Sequence, residues 1–162
     1  MKQDQAIESI PQIPDAQIAI VQSKWYREYT DSMVGKCVET LQTTGCQDPE
    51  IHVLPGSLEL PLAAQYLIQR RTELEAIIAF GVIVKGETFH FEMISNECMR
   101  GFGQVMLDYD IPILVEVIPV TDIELIKARS GDSPHNKGIE AAIAAAEIIA
   151  WRRSLAVDGL AF

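Results

Sequence analysis

The chain has 162 residues, and 48% of them are hydrophobic, which suffices to bury the core of a single domain. Its formal net charge of −10 excludes nucleic acid and anionic membrane as main partners, because both require a broad basic surface. The 3 cysteines form no CxxC pair, and an odd number is a poor disulfide framework, so we expect a reducing, cytoplasmic location. The N-terminus lacks the apolar stretch of a signal peptide, and Glu116 and Glu147 interrupt the longer apolar runs, so no membrane span is expected.

The N-terminal residues 1–16 contain two prolines and show no sustained hydrophobic period, which predicts an extended arm. Strand-like and helical segments alternate after it, beginning with the apolar run over residues 18–21. We predict one α/β domain over residues 17–155 and a short tail over residues 156–162.

Apolar residues at helical spacing follow the first strand. The capping candidates Thr30 and Asp31 precede them, and Gly45 is predicted to end this helix. Residues 51–54 form a second predicted strand. A Pro-Gly-Ser turn then leads into a helix over about residues 58–70.

The run AIIAFGVIV, residues 76–84, is the clearest buried strand. It lacks the alternation of a half-exposed strand, so we expect it to be covered on both faces and to lie centrally in a sheet. Residues 85–88 then turn into a helix that runs to about residue 107.

A fourth strand is predicted over residues 112–118, before the helix-capping candidates Thr121 and Asp122. Residues 136–154 form a last, Ala-rich helix. Strands that alternate with helices imply parallel pairing with right-handed crossovers. The predicted fold is therefore a three-layer α/β/α sandwich with a central four-stranded parallel sheet.

In an open parallel sheet, ligands bind beyond the carboxyl ends of the strands, where loops and helix N-termini converge. This rule selects four segments as the candidate site: residues 23–27, 55–59, 85–90 and 115–121.

The third segment carries the most chemistry. Lys85-Gly86-Glu87-Thr88 combines a flexible turn, backbone N–H groups, a hydroxyl and a helix N-terminus, which together favour an anion. His90, in the first turn of the next helix, can exchange protons near neutral pH. A solvated turn and a surface or packing histidine explain the same residues, so both interpretations stay open.

The other candidates are equally open when taken singly. Trp25 can stack on a planar ligand or serve as packing. Glu59 can accept hydrogen bonds from a ligand or simply oppose the dipole of its helix. Arg129 and Lys137 can hold a phosphate or remain solvated near helix ends.

Several other signals carry no function. The glycines of residues 101–103 resemble a dinucleotide fingerprint but fall within a predicted helix. No cysteine has the surroundings of a triad signature, and the histidines lack the paired spacing of a zinc site. These histidines are His52, His90 and His135. Neither metal nor thiol catalysis is expected.

Taken together, the segments resemble lumazine synthases from about residue 17 to 153. The matching motifs are PGSLELP at residues 55–61, GVIVKGETFHF at 81–91, and Arg129 followed by NKG at 136–138. Their order and their positions at successive strand ends make the combination specific. The family has a flavodoxin-like sandwich around a four-stranded parallel sheet, which agrees with the fold read from the segments.

The resemblance implies a role for each matching position. His90 matches the proton-transfer residue. The phosphate-binding positions are Glu87, Thr88 and Arg129. The positions that contact the pyrimidine or its ribityl chain are Trp25, Ser57, Leu58, Glu59, Val82, Ile83, Val84, Val115 and Lys137.

The implied activity belongs to riboflavin biosynthesis. A transferase of this family condenses 5-amino-6-(D-ribitylamino)uracil with 3,4-dihydroxy-2-butanone 4-phosphate, and it needs no cofactor or metal. The resemblance also implies a homopentamer or a sixty-subunit shell of pentamers. Each site would then take Trp25, Glu59 and His90 from one subunit and Arg129 from the next.

The sequence departs from the commonest family pattern at four places. Trp25 and Leu58 stand where many members have Phe, Tyr26 where many have Asn, and Val115 where many have an aromatic residue. Trp25 retains a stacking surface, whereas Leu58 and Val115 do not. Two alternatives remain: a module that binds flavin or pyrimidine without turnover, and a structural shell with a vestigial pocket.

Overall fold

The computed structural model describes residues 9–157 and places four strands and five α-helices there. Within these residues, no helix is long and apolar enough to cross a membrane. The helix predicted from residue 58 starts with a 3₁₀ turn, Ser57–Glu59, before its α-helical part. In chain order the elements are β1 (Gln17–Ser23), α1 (Arg27–Gln42), β2 (Glu50–Leu54), α2 (Leu60–Arg70), β3 (Leu74–Val84), α3 (His90–Tyr109), β4 (Ile113–Val120), α4 (Glu124–Ser130) and α5 (Lys137–Val157).

The four strands form one parallel sheet in the order β2-β1-β3-β4. Ile78 of β3 pairs with Ile20 of β1 on one side and with Leu114 of β4 on the other. β3 is buried along nearly its whole length, because helices cover both of its faces. The predicted central position of this strand is confirmed.

Two apolar cores flank the sheet. One packs the strands against α1, α4 and α5 and includes Phe80, and the other packs them against α2 and α3 and includes Phe102. We call these the α1/α5 layer and the α2/α3 layer. Because side chains alternate along a strand, Val82 faces the first layer and Ile83 the second. The predicted three-layer sandwich is confirmed.

The prediction that Thr30 and Asp31 cap α1 is wrong, since the helix already begins at Arg27. Both side chains instead accept hydrogen bonds from the side-chain amide of buried Gln22, at 3.2 Å to Thr30 and 2.8 Å to Asp31. This contact ties the end of β1 to the first turns of α1. The N-cap residue is Tyr26.

Side-chain oxygens accept backbone N–H groups at the starts of two later helices. Asp122, one of the two predicted candidates, accepts the amide N–H of Glu124 at 2.9 Å. Asn136 accepts the amide N–H of Gly138 at 2.8 Å. A Cβ atom at Gly138 would lie 1.9 Å from the carbonyl oxygen of Met33, so only glycine lets α5 approach α1 this closely.

Residues 9–16, the last part of the predicted arm, pack against their own chain. Ile13 and Ala16 are fully buried in the α1/α5 layer, and the amide of Ile13 donates to the carbonyl of Thr44 at 2.9 Å. Residues 1–8 and 158–162 lie outside the described residues, and the domain boundaries stay predictions.

Candidate active site

The strands end at one edge of the sheet. Ser23 pairs with Leu54 at the ends of β1 and β2, and Val84 pairs with Val120 at the ends of β3 and β4. The loops that follow β1, β2 and β3 carry most of the predicted site residues. Ligands of parallel sheets bind at this edge.

Gly56 is the point where two of the predicted residues meet. A Cβ atom there would lie 2.9 Å from Oε2 of Glu59 and 3.9 Å from Cδ1 and Nε1 of Trp25. The backbone N–H of Trp25 donates to Oγ of Ser23 at 3.2 Å, and its side chain is 60% exposed. The site therefore offers an accessible aromatic face beside a carboxylate, which suits a planar ligand with N–H groups.

Ser57 is held from two sides. Its Oγ would lie 2.8 Å from a Cβ atom at Gly81. Because Gly81 has no side chain, the 3₁₀ turn can pack directly against β3. The thiol of Cys98 on α3 donates to the carbonyl of Ser57 at 3.2 Å. Ser57 is buried, whereas Leu58 is 46% exposed.

The remaining apolar candidates divide between the two layers. Val82 and Val84 belong to the core of the α1/α5 layer, and Ile83 and Val115 to that of the α2/α3 layer. Only the second pair therefore faces the layer in which the turn of Ser57 and helix α3 lie. Val115 pairs with Ala79, well before the carboxyl end of β4.

The turn over residues 85–88 is exposed, and so is His90 at the start of α3. The amide of Lys85 donates to the carbonyl of Val120 at 2.9 Å, so this N–H is not free for a ligand. The amide of His90 donates to Oγ1 of Thr88 at 3.4 Å. Glu87, Thr88 and His90 are thus accessible together at the edge.

Lys85 already has a counterion. Its Nζ lies 3.2 Å from Oε1 of Glu92. The backbone amide of Glu92 and the Lys85 ammonium hold the pKa of the Glu92 carboxyl below its usual range. A phosphate at this turn would therefore compete with Glu92 for Lys85.

Sequence reasoning missed two features. Tyr26 adopts the left-handed conformation, with φ 56° and ψ 43°, which Asn, Asp and Gly accept more readily than a bulky residue. Cys98 belongs to no cysteine motif, yet its thiol contacts the Ser57 turn. No local pattern predicts the role of Cys98, because its partner Ser57 lies 41 residues earlier in the chain.

Arg129 and Lys137 lie on the other side of the sheet, in the α1/α5 layer. Arg129 is exposed and donates to the carbonyl of Leu125 at 2.6 Å, while Lys137 forms an ion pair with Glu140. Burial raises the pKa of the nearby Glu116 to about 7, against the opposing effect of Lys137. Within one chain, neither basic residue joins the site at Gly56.

The fold is an α/β sandwich whose candidate residues lie at the carboxyl ends of a parallel sheet, the place where ligands bind in this class of fold. The family model for 6,7-dimethyl-8-ribityllumazine synthase matches residues 15–153. A 6,7-dimethyl-8-ribityllumazine synthase from Stenotrophomonas maltophilia (strain K279a) is 37% identical over 136 residues, which cover 83% of this chain and 87% of the relative. The chain belongs to the 6,7-dimethyl-8-ribityllumazine synthase family, as its motifs predicted.

Proposed function

We propose that this protein is the transferase that condenses 5-amino-6-(D-ribitylamino)uracil with 3,4-dihydroxy-2-butanone 4-phosphate to 6,7-dimethyl-8-ribityllumazine. Family membership supports the reaction. The main structural support for placing the reaction at this site is that Trp25 and Glu59 both lie close to Gly56. That pair offers stacking and hydrogen-bond acceptance, the two interactions that a ribitylamino-pyrimidine needs.

The site residues divide the work by chemistry. Trp25 stacks on the pyrimidine, and residues 57–59 bind the ring and the ribityl chain. Ile83 and Val115 face this layer and supply apolar walls, whereas Val82 and Val84 contribute through their backbone. Glu87 and Thr88 hold the phosphate through exposed N–H and hydroxyl groups, which suit an anion at a helix start.

The reaction joins a ring amine of the pyrimidine to the butanone carbonyl, with loss of water. Phosphate then leaves, and attack by the second nitrogen closes the new ring with loss of another water. His90, at the exposed start of α3, transfers protons during these steps. The protein's larger contribution is to hold two substrates in register, which needs no cofactor.

The active form is a homopentamer in which each site is shared between neighbours. Arg129 is a candidate phosphate ligand in the α1/α5 layer, across the sheet from His90, and a neighbouring subunit can bring it to the site. Lys137, in the same layer, would be supplied in the same way. Assembly of such pentamers into a sixty-subunit shell is a further proposal, and the 3 free cysteines support a cytoplasmic location.

Incubation of the purified protein with both substrates, followed by the absorbance of the lumazine product, tests the activity. Turnover that releases phosphate in equal amount is the expected result. Bound flavin without turnover would instead identify a binding module, and neither signal would identify a structural shell. Sedimentation at micromolar concentration tests the assembly, and a mostly monomeric species would contradict the pentamer.

A further inference from the structure

Cys98 joins two parts of the site that are far apart in sequence. Its thiol lies on α3, eight residues after His90, which is about 12 Å along the helix axis. It is fully buried, and its Sγ lies 3.2 Å from the carbonyl oxygen of Ser57. A contact between α3 and the turn after β2 therefore passes through this side chain.

A few contacts seat the turn. Leu60 and Pro61, which follow it, are buried, and a Cβ atom at Gly101 of α3 would lie 3.0 Å from Cβ of Pro61. Ser57 Oγ approaches β3 at Gly81, where a Cβ atom would lie 2.8 Å away. The neighbouring Leu58 and Glu59 are exposed, and the backbone next turns into α2. The Ser57 carbonyl thus reaches α3 through the Cys98 thiol, and the position of Glu59 follows from how this turn is seated.

We infer that Cys98 is a positioning residue, which holds the Ser57–Glu59 turn at a set distance from α3 and from His90. This inference rests on the proposed function, since the turn binds the pyrimidine and ribityl chain while His90 transfers protons. Cys98 does not touch substrate. It acts through the Ser57 carbonyl.

The chemistry of the thiol fits this role. Burial raises the pKa of the Cys98 thiol to about 11, so the group stays protonated and keeps its donor at neutral pH. A buried thiol of this kind is not an activated nucleophile. An S–H donor is weak, and the Ser57 carbonyl also accepts the backbone N–H of Leu60, so loss of the thiol removes the link to α3 rather than the only partner of this carbonyl.

Cys98→Ala, which removes the donor, and Cys98→Ser, which restores one, provide the test. We expect Cys98→Ala to raise the KM for the pyrimidine about 2- to 12-fold, the range that one hydrogen bond supplies. The kcat should change less, because His90 is intact. Cys98→Ser should return the KM to within about twofold of wild type.

Cys37→Ala is the matched control. Cys37 is also fully buried, but in the α1/α5 layer, so this variant loses a buried thiol without touching the Ser57 turn. It should lower stability and leave the KM unchanged. If Cys98→Ala does not fold, Cys98→Val removes the donor without leaving a cavity. An unchanged KM in the donor-free variant, or a Cys98→Ser variant as impaired as Cys98→Ala, would overturn the inference.

A second measurement needs no substrate. The Raman S–H stretching band that disappears in Cys98→Ser should lie at lower frequency than that of a thiol without an acceptor. A band at the frequency of a thiol with no acceptor would overturn the inference whatever the activity. Wild-type protein without turnover, but with the shifted band, would contradict only the proposed function.

Discussion

His90 and Arg129 lie on opposite sides of the central sheet. His90 begins α3 in the α2/α3 layer, and Arg129 is in the last turn of α4, which packs in the α1/α5 layer. Within a single chain, His90 and Arg129 therefore do not contact the same bound substrate. In a ring where the α2/α3 layer of one subunit faces the α1/α5 layer of the next, His90 and the neighbour's Arg129 would reach the same substrate.

This arrangement predicts complementation between inactive subunits. If His90→Ala and Arg129→Ala proteins are each nearly inactive, co-refolding equal amounts should restore roughly a quarter of wild-type activity, the share of sites with both residues intact under random mixing. Native mass spectrometry must show mixed rings. Mixed rings as inactive as the parent proteins would show that one chain supplies both residues.

The role of His90 predicts a change in turnover rather than in binding. His90→Ala should lower kcat by about 10²- to 10⁴-fold, the usual contribution of a positioned proton-transfer group, with little change in pyrimidine affinity. Steady-state kinetics with the same titration of both substrates would measure this. His52→Ala is the control, because His52 lies on edge strand β2 beside Glu50. Unchanged turnover in His90→Ala would remove this residue from the mechanism.

The exposed ring of Trp25 predicts a change in substrate binding rather than in turnover. Trp25→Ala should raise the pyrimidine KM roughly tenfold while kcat changes less, because it deletes the aromatic face beside Glu59. Trp151→Ala removes a similarly exposed indole, 57% against 60%, from α5 and should leave the KM unchanged. Equal affinity in the two variants would mean that Trp25 is only packing.

The left-handed backbone of Tyr26 predicts a stabilising substitution. Tyr26→Asn should raise Tm by about 2 to 4 °C, since Asn adopts φ 56° at less cost than a bulky aromatic residue. Calorimetry at one protein concentration would measure it. Tyr26→Ala removes the same ring without a side chain that favours this conformation, so it should gain less. A larger rise in Tm for Tyr26→Ala than for Tyr26→Asn would show that the aromatic ring, and not the left-handed backbone, destabilises the protein.

Glu116 predicts a pH-dependent stability difference. Burial raises its folded-state pKa to about 7, while the unfolded value is about 4.3. The folded state therefore binds more protons between these values, so Glu116 lowers stability progressively as pH rises through this window. The difference in free energy of unfolding between Glu116→Gln and wild type should be about 1 to 2 kcal/mol more favourable to the variant at pH 8 than at pH 4. This figure is discounted for partial exposure.

Denaturant unfolding at a series of pH values would measure that difference. The matched control is Glu147→Gln. Glu147 is exposed on α5, the helix whose first turn lies near Glu116. The difference between Glu147→Gln and wild type should be the same at both pH values. A Glu116→Gln gain that does not grow with pH would show that the carboxyl titrates normally in the folded protein.

Much of the architecture could be predicted from local patterns. The unbroken apolar run over residues 76–84 indicated a strand covered on both faces, and β3 lies inside the sheet between β1 and β4. The same patterns misplaced the start of α1. Thr30 and Asp31 have the side chains of a cap, but Gln22 engages both of them within the helix. Cap chemistry names candidates, and the partners present in the folded chain decide between them.

The sequence by itself determined the order of the elements, the parallel sheet and the edge at which the candidate residues lie, because periodicity and turn residues act over a few positions. Only the tertiary structure decided which side chains meet. It brought Glu59 and Trp25 together at Gly56, joined Cys98 to Ser57, and left Arg129 across the sheet. Such contacts join residues many positions apart, so they depend on how the layers pack rather than on any local pattern.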